Sequence, residues 1–123
     1  MKNGVLFALL LLACFSCKTT QPSGNNVYTL SGNNPFWSAE ISKTGIVFEE
    51  LGRDKIAYPY KDGESSGDRT IFLTNKVIDG SKSWLKITLV KKPCTDYLAG
   101  SKESPYQVEL DRDGIIYYGC GKN

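Results

Sequence analysis

Two stretches of this chain alternate apolar and polar residues with a period of two. Trp84-Leu85-Lys86-Ile87-Thr88-Leu89-Val90 puts Leu85, Ile87 and Leu89 on one side and Lys86 and Thr88 on the other, and Tyr106-Gln107-Val108-Glu109-Leu110 alternates throughout. Only an extended backbone sends successive side chains to opposite faces, so both stretches read as strands with one face in a core and one in water. Weaker alternation at 27–30, 36–42, 46–50, 55–60, 70–74 and 115–118 adds further strands. Turn chemistry separates them: Lys43-Thr44-Gly45, Leu51-Gly52-Arg53-Asp54, Lys61-Asp62-Gly63, Asp79-Gly80-Ser81 and Asp111-Arg112-Asp113-Gly114. No segment carries a convincing amphipathic helix, and the best place for a single helical turn is 95–100, with Thr95 as its cap. The expected fold is all-β, a small antiparallel barrel or sandwich of about seven to eight short strands.

At 123 residues the chain supports one domain. Fifteen basic against 13 acidic residues leave a net charge of +2, too weak a field for nucleic-acid binding. The absence of histidine from the sequence removes Ser-His-Asp and Cys-His catalysis and histidine-ligated metal or haem. Nothing in the residue pattern calls for a cofactor or a metal.

The N-terminus reads as an export signal. Met1-Lys2-Asn3 is a short basic region, and the apolar run Gly4 to Ala13 has ten residues. As a helix that run spans about 15 Å, half of a hydrocarbon core near 30 Å, so it reads as a signal-peptide core rather than a membrane span. Leu11-Leu12-Ala13-Cys14 and Ala13-Cys14-Phe15-Ser16-Cys17 each place a cysteine after a small residue, and both resemble the bacterial lipobox, whose cysteine is lipidated. Leu-Leu-Ala-Cys is the better match by residue type, but lipidation at Cys14 would leave Cys17 as an odd thiol in an exported protein. Parity favours Cys17, with Cys14 as the alternative. The expected organisation is a lipoprotein signal at 1–16, a polar tether at 17–26 and one β domain at 27–123. Cys94 and Cys120 are then the only cysteines of the folded body, and an exported compartment oxidises them to a structural disulfide.

Three stretches resemble a family of uncharacterised bacterial envelope proteins, described as predicted membrane proteins or lipoproteins, some of which accompany the META domain of heat-inducible lipoproteins. Gly32-Asn33-Asn34-Pro35-Phe36-Trp37 is similar to its G-N-E-P-F-W opening, and Cys94-Thr95-Asp96-Tyr97-Leu98-Ala99 to its C-S-D-G-M-S segment. Ser104-Pro105-Tyr106-Gln107-Val108 and Tyr117-Tyr118-Gly119-Cys120-Gly121 resemble its Y-P-Y-x-V and Y-x-G-C-G ending. Asn34, Leu98 and Ala99 depart from it, and Asn34 removes a carboxylate beside Trp37. The resemblance implies a compact β-rich envelope domain with one disulfide, and no settled activity.

Candidate site residues are few. Phe36 and Trp37 read as an aromatic anchor or as the lid of the core, with packing favoured. Asp96 reads as a polar site group or as a loop cap accepting backbone N–H bonds, the cap favoured. With Tyr97 and Tyr118, taken from a tyrosine-rich body, Trp37 and Asp96 make up the candidate binding surface. Asp111-Arg112-Asp113-Gly114 echoes a calcium loop but lacks its later acidic ligands, and a hairpin turn fits better. Glu49 and Glu50 are adjacent, so in a strand they face opposite ways and make a poor acid/base pair. Lys91 and Lys92, before Pro93, suit a charged strand end.

The leading expectation is a monomeric, non-enzymatic lipoprotein of the bacterial envelope, held to a membrane by its N-terminal lipid and binding a protein or small molecule. It would sit on the outer membrane, at its periplasmic or surface face. One rival is an inhibitor of a hydrolase such as lysozyme. Another is a small hydrolase, which needs two carboxylates from residues such as Asp96, Glu103 and Glu109 to converge in a cleft. A carrier with an open interior is disfavoured, because short strands leave side chains filling the barrel.

Overall fold

The computed structural model describes residues 26–96 and 100–123. The leader, the lipobox cysteines Cys14 and Cys17, most of the tether, and Tyr97 lie outside the described residues. Within them the chain is all-β: β1 (Asn26–Asn33), β2 (Phe36–Ser42), β3 (Gly45–Glu50), β4 (Ile56–Tyr58), β5 (Glu64–Ser66), β6 (Arg69–Ile78), β7 (Ser81–Asp96), β8 (Lys102–Arg112) and β9 (Ile115–Lys122). All pairings are antiparallel, in one sheet of order β4-β3-β2-β1-β9-β8-β7-β6-β5.

The alternation becomes two faces. Leu85, Ile87 and Leu89 of β7 meet Leu110 and Val108 of β8 on the inner face, and all five are buried. They join Leu30, Ile41, Ile46 and Phe48 from the other half of the sheet in one core. Burying each such side chain contributes roughly 1.5–3 kcal/mol, so the inner face is the main source of stability.

Two hairpins fix register locally. Asp79-Gly80 and Asp113-Gly114 are two-residue loops in which both residues have positive φ, 50° and 82° in the first, 52° and 90° in the second. Such turns carry the right-handed twist of the flanking strands, and Asp-Gly suits them. The Asp113-Gly114 stretch is thus a hairpin turn, as its sequence implied.

The closed barrel or sandwich of seven to eight strands is corrected to one open, nine-stranded sheet. The sheet curls until β4 reaches β6 and β7, but side chains bridge the gap in place of a ladder. Tyr58 Oη lies 2.8 Å from Ser83 Oγ, and Thr74 Oγ1 donates to the Pro59 carbonyl at 2.6 Å. Pro59 directly follows β4 and has no N–H to extend pairing, so the strand expected over 55–60 ends at Tyr58. The extra strand, β5, reads Glu-Ser-Ser with every residue exposed, and shows no alternation for a sequence reading to detect.

The expected helical turn at 95–100 is also corrected. Thr95 and Asp96 belong to β7, which passes Lys91 and Lys92 without ending and shifts register between Lys91 and Cys94. Beyond this bulge the β7–β8 hairpin lies over β9 and β1. Cys94 bonds Cys120 with Cα atoms 5.5 Å apart, although β8 separates their strands in the sheet.

The disulfide spans 26 positions. In the chain-entropy account, closing a loop of that size stabilises the fold by about 3.5 kcal/mol. The double variant Cys94→Ala/Cys120→Ala should therefore unfold at lower urea, with a loss of about 3 kcal/mol. A midpoint unchanged from the parent would show that the hairpin is held by its other contacts.

Candidate functional site

Trp37 starts from β2 and turns inward, only 4% exposed, so it packs the core, as the sequence favoured. It is paired with Gly32 of β1, and a side chain at Gly32 would collide with its indole and with the Tyr118 carbonyl. A side chain at Gly119 would strike both the Ser31 backbone and the indole. With both places vacant, the indole lies across β1 and its Nε1 donates to the Tyr118 carbonyl of β9 at 3.1 Å.

The opposite face of the same seam carries the disulfide and Asp96. Asn33 Nδ2 donates to Asp96 Oδ1 at 3.1 Å, tying the end of β7 to β1. Asp96 thus accepts a side-chain amide. Ser31, Asn33, Asp96 and Tyr118 border a recess of about 240 Å³ beside Cys94–Cys120. The structure brings Asp96 and Tyr118 to one recess and sends Trp37 to the other side of the sheet.

Tyr118 is 66% exposed and also borders a second, larger cleft of about 350 Å³ on the outer face of β6 to β9. Cross-strand rows build this cleft. Ile71, Thr88, Glu109 and Tyr118 form one row, and Arg69, Val90 and Gln107 the next. Short or branched side chains at Ile71, Thr88 and Val90 make the floor, with Thr88 only 8% exposed. Longer side chains of Arg69, Lys86, Gln107 and Glu109 rise around it. Gln107 Nε2 donates to the Pro93 carbonyl at 3.3 Å, so the bent hairpin also braces one wall. Among the described residues no ion pair engages Arg69, Lys86 or Glu109.

A polar network closes one mouth of the curl. Arg112 faces inward from β8, its guanidinium 5.3 Å from the Phe48 ring centre and its Nε buried without a partner. Burial alone would lower its pKa, but the neighbouring phenols of Tyr117 and Tyr58 favour the charged guanidinium and the net shift is upward. Tyr117 Oη donates to Glu50 Oε1 at 3.1 Å, and burial, with this bond, raises the phenol pKa. Ser83 Oγ donates to Asp113 Oδ2 at 2.6 Å, and the Trp84 N–H donates to Oδ1 at 2.7 Å. These bonds, and to a lesser degree Arg112, lower the Asp113 pKa.

The sequence reading named Tyr118 and Asp96 and missed Arg69, Lys86, Thr88 and Gln107, which are ordinary polar positions until strand pairing puts them in rows. No protein-family model, curated protein or solved structure matches the chain.

Asp113 yields a pH test. Its folded pKa lies below the unfolded value near 3.9, so its contribution is present above about pH 4 and is lost as pH falls through the folded value. The stability gap between the parent and Asp113→Asn should be widest near neutrality and shrink below about pH 4. Urea midpoints across that range check it, and a constant gap would assign the effect to turn geometry instead.

Proposed function

We propose that this chain is a lipid-anchored lipoprotein of the bacterial envelope whose β domain acts by binding, with its outer face as the contact surface. The observation that carries the binding reading is the division of the sheet. Its inner face is packed with apolar side chains, while the recesses beside Tyr118 open outward. The carboxylates of Glu50, Asp96 and Asp113 hold Tyr117, Asn33 and Ser83, which supports structural roles for them. The Cys94–Cys120 bond fits an oxidising compartment, in line with the export leader.

Chain direction supports a tethered arrangement. β1 begins beside the β2–β3 turn, with Asn26 opposite Ser42. A lipid on Cys17 would hold that end toward the membrane. The far end, with the β8–β9 turn and the exposed Phe36, Leu51, Trp84 and Ile115, would point away, and the outer sheet face would stand free at the side.

The anchor is tested on protein isolated from its bacterial host. Mass spectrometry of the N-terminal peptide should find a lipid-modified Cys17, and Cys17→Ser should move the protein from the membrane to the soluble fraction. An unmodified mature terminus, or an uncleaved leader, would overturn the anchor. Modification at Cys14 would relocate it.

A further inference from the structure

We propose that the cleft on the outer face of β6 to β9 binds a short acidic saccharide, with the Tyr118 ring as a platform for a sugar face and Arg69 and Lys86 as carboxylate anchors. This rests on the reading of the domain as a binding module, and adds the ligand class.

Three observations combine. The first is the place of the cleft within the sheet. β7 and β8 pair on both sides, β6 pairs with β5 over Arg69–Ile71, and at β9 the Tyr118 carbonyl is taken by the Trp37 indole, so the backbone bordering the cleft offers little to an added strand. A peptide recognised by strand addition needs a free edge, which this cleft lacks. Recognition here must come from side chains.

The second is the kind of side chain present. Arg69 and Lys86 donate, Glu109 accepts, and Thr88 and Gln107 do both. That set suits a ligand dense in hydroxyl groups, each of which donates and accepts. The exposed phenol ring of Tyr118 adds a flat, electron-rich face. The C–H groups on one side of a pyranose carry slight positive charge and lie well against such a face.

The third is charge. Two cations and one carboxylate border the cleft, and none of the three is engaged by an ion pair among the described residues. Arg69 lies opposite Val90, four residues along β7 from Lys86, which separates the two cations by about 14 Å across the sheet. Carboxylates on a chain of two or three sugar units can reach both. An arginine can grip a carboxylate with two parallel bonds. Glu109, one strand beyond Lys86 in the row of Thr88, takes sugar hydroxyls and repels a polyanion that has no hydroxyls to donate.

Isothermal titration of the intact, oxidised protein would use three probes: tri-galacturonate, the neutral maltotriose, and a tri-glutamate peptide. The expected result is saturable binding of tri-galacturonate, with maltotriose weaker by at least about tenfold and tri-glutamate weaker still. Raising salt from about 10 mM to about 150 mM should weaken tri-galacturonate binding, because the anchoring cations are exposed. Tyr118→Ala should weaken it by about fivefold to tenfold. Its backbone carbonyl still accepts from Trp37, and near-ultraviolet circular dichroism checks that the fold is kept. Lys86→Glu, an exposed change, should weaken binding at least as much, while Lys61→Glu at a distant loop should leave it unchanged.

Equal binding of tri-glutamate and tri-galacturonate would overturn the saccharide proposal and leave a binding module for anions. Absence of tri-galacturonate binding, or binding that survives both Tyr118→Ala and Lys86→Glu, would overturn it too. Neither result bears on the lipid anchor, which the N-terminal peptide tests separately.

Discussion

The indole of Trp37, lying in the space left by Gly32 and Gly119, is the contact on which the rest of the molecule depends. Every other long pairing in the sheet joins strands that follow one another along the chain, and hairpin turns bring these together cheaply. The pairing of β1 with β9 joins the two halves of the sheet across the length of the domain, and its ladder covers only Thr29 to Ser31 against Cys120 to Lys122. Closing so long a loop costs more entropy than closing a hairpin. The indole extends this short ladder by spanning from β2 over β1 to the carbonyl of Tyr118. Any side chain at either glycine would lift it off. On the other face of the same strands, Cys94–Cys120 and the Asn33–Asp96 bond hold the end of β7 in place. The seam is therefore clamped from inside by packing and from outside by the end of β7, which the disulfide joins to β9 and the Asn33–Asp96 bond joins to β1.

Fixing this seam determines how far the sheet curls, and the curl determines what the two ends must do. At one end Arg112 is drawn inside, over Phe48, with its side chain only 18% exposed. A guanidinium that sheltered is costly unless oxygens surround it, and Tyr58, Tyr117 and the nearby Asp113 provide them. The same residues bridge the gap that β4 leaves unpaired, through Tyr58 to Ser83 and on to Asp113. At the other end the closure is aromatic. Tyr28 packs edge-on against both Phe72 and Tyr106, at 5.8 and 5.4 Å between ring centres, and Tyr60 lies 6.4 Å from Phe72. Burial, then neighbouring Tyr106, raises the Tyr28 pKa, so this plug holds together best with its phenols neutral. Much of the tyrosine-rich composition is thus spent closing an open sheet.

How much of this the sequence disclosed depends on the range of the interaction. Alternation marked the inner residues of β7 and β8, because burial on one face of a strand leaves a local imprint. The Asp79-Gly80 and Asp113-Gly114 turns carried more than was read from them. A two-residue loop sets Ile78 opposite Ser81 and Arg112 opposite Ile115, and counting back from there places Ile71 beside Thr88 and Glu109 beside Tyr118. Half of the outer cleft was therefore implicit in two dipeptides. The other half needed the β7–β8 register, which a bulge between Lys91 and Cys94 displaces and no local residue pattern announces. The open edge was hidden for a different reason. β5 is short and wholly exposed, so it buries nothing that would pattern its sequence. The motif residues Gly32, Trp37, Asp96, Gly119 and Cys120 were visible as separate stretches, and their meeting at one seam was not.

The bulge links this architecture to the outer surface. A β7–β8 hairpin that ran straight would leave the disulfide cysteines on strands held apart by β8, and the outer face would be a plain pleated surface. By bending over β9 and β1, the hairpin makes the disulfide reachable and creates the recess beside it. It also lets Gln107 bond the Pro93 carbonyl and so raises a wall of the larger cleft. Tyr118 stands between the two recesses, its backbone fixed by the Trp37 indole beneath and its ring in solvent. A side chain held on such rigid backbone loses little freedom on meeting a ligand, which lowers the entropic cost of binding. The contacts that close the fold thus also fix the backbone that carries the exposed Tyr118 ring.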